Sequence, residues 1–175
     1  MIRPSLKYGL LAGGIMAALF LIPFLMFKGE DLYNYFQIGE VIGYSTMVLC
    51  LLFVFFGMRS YRDTEMGGSI TFGKAFVSGL AITFVASIIF GLFTILLYKV
   101  ISPDLGNQMM EFYKRSVLES GKSKEIIDAQ LAEMDSYRDV YNNGAIHGLL
   151  MFSTVFMIGA VVALISSFIL KKKKS

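Results

Sequence analysis

The chain has one cysteine, one histidine, three prolines and no tryptophan in 175 residues. A single thiol, Cys50, cannot close an intrachain disulfide, so the parts outside the apolar runs are not a disulfide scaffold. Cys50 sits inside an apolar run and reads as a small packing residue. One histidine and one buried thiol cannot assemble a metal cluster, so neither a metal nor another cofactor is expected. Without tryptophan, tyrosine alone must supply any interfacial aromatic belt, and Tyr8 and Tyr98 stand where one would lie. No basic surface interleaved with aromatics is visible, so nucleic acid is not an expected partner.

Long apolar runs are abundant. Four of them, Tyr8–Phe27, Ile38–Met58, Phe72–Tyr98 and Ala145–Leu170, are each long enough to cross a hydrocarbon layer of ~30 Å, which takes ~20 helical residues. The expected fold is an all-α membrane protein with four transmembrane helices forming one domain over residues 1–175. The first run follows Arg3 and Lys7, as a secretory signal would, but it is longer than an h-region and no small-x-small cleavage site closes it. It reads as a retained span with Pro23 kinking its outer end.

Lysine and arginine alternate between the connecting segments. Arg3 and Lys7 precede the first run; Lys28 is outnumbered by Glu30 and Asp31 in the next segment. Arg59, Arg62 and Lys74 mark the segment after that, and Lys171-Lys172-Lys173-Lys174-Ser175 follows the last run. Basic residues collect on the cytoplasmic side, which places both termini there and residues 99–143 outside.

That outer segment is the one sizeable part beyond the spans. Ser102-Pro103-Asp104 stops the third run, and Asn107–Ser120 has Met110, Tyr113 and Val117 on one helical face. Gly121 reads as the residue that ends this helix. Ser123 can cap a second helix, Lys124–Tyr141, with an apolar stripe of Ile127, Leu131, Met134 and Tyr141. The expectation is an extracytoplasmic helical hairpin that caps the bundle or docks an envelope partner.

Several stretches are distinctive in wording as well as in pattern: Lys7-Tyr8-Gly9-Leu10, Ile42-Gly43-Tyr44-Ser45, Phe55-Phe56-Gly57-Met58-Arg59-Ser60-Tyr61-Arg62-Asp63, and Met66-Gly67-Gly68-Ser69-Ile70-Thr71-Phe72-Gly73-Lys74-Ala75-Phe76. Together they resemble the bacterial domain-of-unknown-function 4199 family. The resemblance covers the whole chain and is strongest from Gly43 to Phe76. It implies a small four-span integral protein of the Gram-negative cell envelope, and it supplies no catalytic residue; the bacterial inner membrane is the expected location.

Two groups of residues are candidate sites. Arg59, Arg62 and Lys74 bracket Asp63, Glu65 and the pair Gly67-Gly68, and could meet anionic headgroups or a cytoplasmic partner; such a loop also carries these charges simply to set topology. Glu40 and His147 fall at similar depth near the outer rim, with Tyr44 close by, and ionisable groups within spans are functional suspects. The plainer alternative is that both reach interfacial water. Gly43-Tyr44-Ser45-Thr46-Met47 lacks the final glycine of a nucleophile elbow, so Ser45 reads as a helix-interface hydroxyl.

Small residues recur at spacing four in Gly9/Gly13, Gly39/Gly43, Ser87/Gly91 and Gly159/Ala163, which suits close helix packing within the bundle or between copies. The expected function is that of a non-enzymatic structural or accessory protein binding membrane lipids, a second copy or other membrane proteins. The alternative is a small transporter or channel subunit, which would need a polar lining. Ser45, Thr46, Ser78, Thr83, Ser87, Thr94, Ser153 and Thr154 are the side chains that could supply it.

Overall fold

The computed structural model describes residues 1–27 and 30–172, with side chains from residue 35 onward in the second stretch. Lys28, Lys173, Lys174 and Ser175, and the side chains of Glu30 and Asp31, which entered the charge pattern, lie outside the described residues. Seven α-helices are described: α1 Ile2–Met26, α2 Glu30–Glu65, α3 Phe72–Leu96, α4 Leu105–Leu118, α5 Lys124–Ser136, α6 Arg138–Tyr141 and α7 Gly144–Leu170, with a π-helical turn, Leu97–Ile101, prolonging α3. Of these, α1, α2, α3 and α7 are long and apolar enough to cross a membrane. The protein is an all-α, four-span membrane protein.

The helices overrun the apolar runs. At 36 residues, α2 is about 54 Å long, well beyond a hydrocarbon core of ~30 Å. Charge ends a hydrophobic run but not a helix, because a helix satisfies its own backbone on either side of the interface. Arg59 and Arg62 therefore stand on the last turns of α2 and not in a loop. The chain then turns through Gly67 and Gly68, whose φ values of +65° and +81° favour glycine, with the Gly68 N–H donating to the Arg62 carbonyl at 3.0 Å. Thr71 caps α3 by accepting from the Lys74 N–H, and Asn143 caps α7 by accepting from the Ala145 and Ile146 N–H groups.

The four spans alternate in direction. Lys172 donates its N–H to the Ile70 carbonyl at 2.9 Å, and the Met1 ammonium pairs with Glu65. These contacts gather the start of α1, the end of α2, the start of α3 and the end of α7 at one end of the bundle. The π turn and α4–α6 occupy the other.

α3 is the hub, packing on α1, α2 and most closely on α7. Its antiparallel seam with α7 is built from small residues. A Cβ on Gly79 would lie 2.6 Å from the Ala163 Cβ, one on Gly159 would lie 2.3 Å from the Thr83 Cγ2, and one on Gly148 would lie 2.9 Å from the Gly91 carbonyl oxygen. On the α1 side, a Cβ on Gly13 would meet the Ala86 carbonyl oxygen at 2.9 Å. Lipid tails are as apolar as leucine, so helices associate there through close packing, which small residues permit. Three of the four small-residue pairs named above are thus spent inside the bundle. The fourth, Gly39/Gly43, does something else.

Large apolar side chains such as Val41, Leu92, Leu149 and Met157 face outward and are each more than 60% exposed, whereas Leu51, Val54, Met58, Ile82 and Val155 fill the centre. Cys50 is buried among them. Ser45 lies on the exposed face of α2 and not at a helix interface.

The polar segment departs from expectation: its first helix spans Leu105–Leu118 where Asn107–Ser120 was expected, and Ser123 stands at the start of α5 without a side-chain capping hydrogen bond. The second of its helices breaks at Tyr137 (φ −98°, ψ 9°), giving α5 and α6 where one helix, Lys124–Tyr141, was expected. The turn after α4 contains Gly121 at φ +68°. Lys114 of α4 pairs with Asp135 of α5 at 2.6 Å, and that ammonium holds the Asp135 carboxyl below its usual range.

Candidate functional site

Where α2 approaches the α4 end of the bundle it carries Tyr35, Phe36, Gly39, Glu40, Gly43, Tyr44 and Met47 on one face, at helical spacings of three and four. Gly39 and Gly43 have no side chain to fill the space in front of them. A Cβ on Gly39 would touch only the Tyr35 ring of the preceding turn, at 3.5 Å, and one on Gly43 would approach Phe20 at 3.3 Å. The result is a cleft of about 290 Å³. Phe20 and Phe24 of α1, Phe90 and Phe93 of α3, Leu105 and Met109 of α4, and Met151 of α7 close it. It opens on one side, where Glu40 is exposed and Tyr44 is 55% exposed.

The polar groups come from four elements. The π turn brings Tyr98 against α7, where its ring stacks on His147 with centroids 4.6 Å apart and planes 13° from parallel. This approach requires Gly144, since a Cβ there would lie 2.7 Å from the Tyr98 Cβ. π turns recur at functional sites because the extra residue redirects a side chain. Tyr98, expected in an interfacial belt, is instead only 8% exposed, with its hydroxyl against the Met109 sulfur at 3.5 Å. The His147 ring faces the Tyr141 carbonyl, while its Nε2 is buried without a hydrogen-bond partner. The ring nitrogen towards Tyr141 is therefore Nδ1, and in the tautomer protonated there Nε2 is the acceptor. The Tyr113 hydroxyl of α4 faces the Glu40 carboxylate of α2. Burial first, and then that carboxylate, push the Tyr113 phenol above its ordinary value, so it remains a donor.

Glu40 and His147 line the same cleft. Arg59, Arg62 and Lys74 stand at the opposite end of the bundle. There Arg62 pairs with Asp63 at 2.7 Å and Arg59 reaches the same carboxylate at 3.7 Å, while Lys74 is exposed and makes no ion pair among the described residues. The aromatic wall was not picked out in the sequence, and Tyr113 was read only as one residue of a helical stripe. The spacing of Phe36, Glu40, Tyr44 and Met47 carried the signal, masked by the exposed apolar residues Ile38, Val41, Ile42 and Val48 on the other faces of α2.

The hydroxyls expected to line a conduit mostly turn back on their own helices. Ser78 donates to the Ala75 carbonyl, Ser87 to Thr83, Thr94 to Phe90, Ser153 to Leu149 and Thr154 to Leu150, all within 2.8–2.9 Å. No group of three His, Cys, Asp or Glu side chains among the described residues could hold a metal ion.

No curated protein and no solved structure matches the chain. A family match runs over residues 7–172, nearly the whole chain, and agrees with the four-span architecture. The chain belongs to the family described as protein of unknown function (DUF4199).

Proposed function

We propose that this chain is a non-enzymatic accessory protein of the bacterial inner membrane that holds an amphiphilic guest, a lipid or a small molecule, in the α1–α2–α3–α4–α7 cleft. The observation that carries this reading is a preformed, aromatic-walled space that two helix glycines keep open beside Glu40 and His147. Binding sites are typically apolar concavities with a few polar groups that fix orientation. The alternative, a transporter or channel subunit, has less support, because five of the eight span hydroxyls that could line a conduit bond back to their own helices. Arg59, Arg62 and Lys74 have the subsidiary role of resting the other end on anionic headgroups.

Native mass spectrometry of the protein released from its own membrane tests the cleft. The wild type is expected to retain a guest that Gly39→Leu loses, because the leucine side chain fills the space while its Cβ meets no other helix. Equal guest retention by the two forms, or a bare chain in both, would remove the cleft as a binding site.

The proposed orientation puts the Gly67 turn and both termini in the cytoplasm and the α4–α6 segment outside. Alkaline phosphatase, which needs oxidising surroundings for its disulfides, is expected to be active when fused at Ser120 and inactive at Gly67. The reverse pattern would invert the protein in the membrane.

A further inference from the structure

The chemistry of the cleft narrows its guest. Among the described residues that line it, Glu40 is the one carboxylate and there is no lysine or arginine. The Glu40 carboxyl faces the Tyr113 hydroxyl, and a carboxylate offers about four lone-pair sites. The His147 Nε2 is a buried acceptor with nothing to accept. An anionic guest would be repelled by Glu40 and would find no countercharge, and a neutral hydrocarbon would leave Nε2 unpaired. The walls are rich in aromatic rings, Phe20, Phe24, Phe36 and Phe93 among them, and aromatic faces attract cations. A quaternary ammonium would satisfy the rings and the carboxylate, but it has no N–H to offer Nε2.

We infer that the cleft takes a primary or secondary ammonium group carried on an apolar body, with its charge at Glu40 and an N–H directed to the His147 Nε2. This inference rests on the cleft being a binding site and goes beyond it by naming what binds. The ammonium can come from the ethanolamine headgroup of a phospholipid or from a free hydrophobic amine.

Binding of octylamine, octanol and octyltrimethylammonium to the full chain in phosphatidylcholine nanodiscs separates the possibilities. Octylamine is expected to bind most tightly. Glu40→Gln, an isosteric change at the exposed rim, is expected to weaken it by roughly tenfold or more, the scale of one charge-assisted hydrogen bond, while leaving octanol unchanged. His147→Phe keeps a ring to stack on Tyr98 and is expected to erase the preference for octylamine over the quaternary analogue. Competition by phosphatidylethanolamine added to the nanodiscs assigns the ammonium to a lipid; no competition assigns it to a free amine, and the inference stands in both cases. If all three probes bind alike, compete for one site and are lost in Gly39→Leu, the ammonium is wrong and the cleft remains a binding site. If none binds in a manner that Gly39→Leu abolishes, the cleft itself is wrong.

Discussion

Gly159→Ala is expected to destabilise the protein by about 1–3 kcal/mol, the usual range for overpacking a close-packed interior, although alanine is the better helix former. A Cβ at this position would lie 2.3 Å from the Thr83 Cγ2 and 2.8 Å from its Oγ1. Thr83 cannot swing aside easily. It is β-branched, its χ1 is restricted in a helix, and it is fully buried. The two helices must therefore separate, and this seam is the closest packed of the bundle. In lipid, separation forfeits dispersion contacts that no hydrophobic effect between helices replaces. Gly14→Ala serves as the control, because a Cβ there would have nothing within 4 Å. The sharper test is a double-mutant cycle. The Thr83 hydroxyl is buried without a partner, so Thr83→Ala alone is expected to cost little. Combined with Gly159→Ala it should recover most of the lost stability, giving a non-additive pair. Unfolding monitored in mild detergent measures all four forms. A Gly159→Ala protein as stable as the wild type, or a double mutant showing simple additivity, would mean that the seam is not set by this contact.

The four spans were legible because nothing else puts four such apolar runs in one short chain. The inward faces were not. In a soluble protein, the alternation of polar and apolar residues reveals which side is buried. Here both sides are apolar, and Phe90 at 1% exposure cannot be told in sequence from Phe84 at 48%. What remained visible was chemistry that lipid penalises. Glu40 and His147 stood out as ionisable residues near the rim of their spans, and the structure places both on one cleft. Tyr98 and Tyr113, which complete its polar side, were read as an interfacial ring and as one residue of a helical stripe. Their convergence depends on the π turn, and a π turn leaves no pattern in a run of Leu96, Leu97, Tyr98, Lys99 and Val100. Arg59 and Arg62 were misplaced in a loop for the complementary reason: charge marks where lipid ends and says nothing about where a helix does.

Phe90→Ala is expected to be the most destabilising single change in the cleft, and the one that alters what the cleft can hold. The Phe90 ring is almost fully buried, and it meets Phe20 edge-on with centroids 4.8 Å apart and planes at 77°. In soluble cores such a truncation costs about 3–5 kcal/mol, part of it lost transfer from water and part the cavity left behind. A bilayer removes most of the transfer part, since the unfolded reference is already in an apolar solvent. The lost contacts remain, so the lower end of that range is expected. Position separates this residue from the rest of the core. Phe90 lines the cleft, whereas Leu51 and Ile82 are as deeply buried and do not. Leu51→Ala and Ile82→Ala should therefore lower stability and leave guest selection unchanged. Phe90→Ala should lower stability and also merge its empty space with the cleft, shifting preference from octylamine towards dodecylamine. Chain-length profiles for the three variants, measured alongside their unfolding transitions, check both halves. A Phe90→Ala protein that loses stability yet keeps the wild-type chain-length profile would place the guest away from the α1–α3 wall, against α4 and α7.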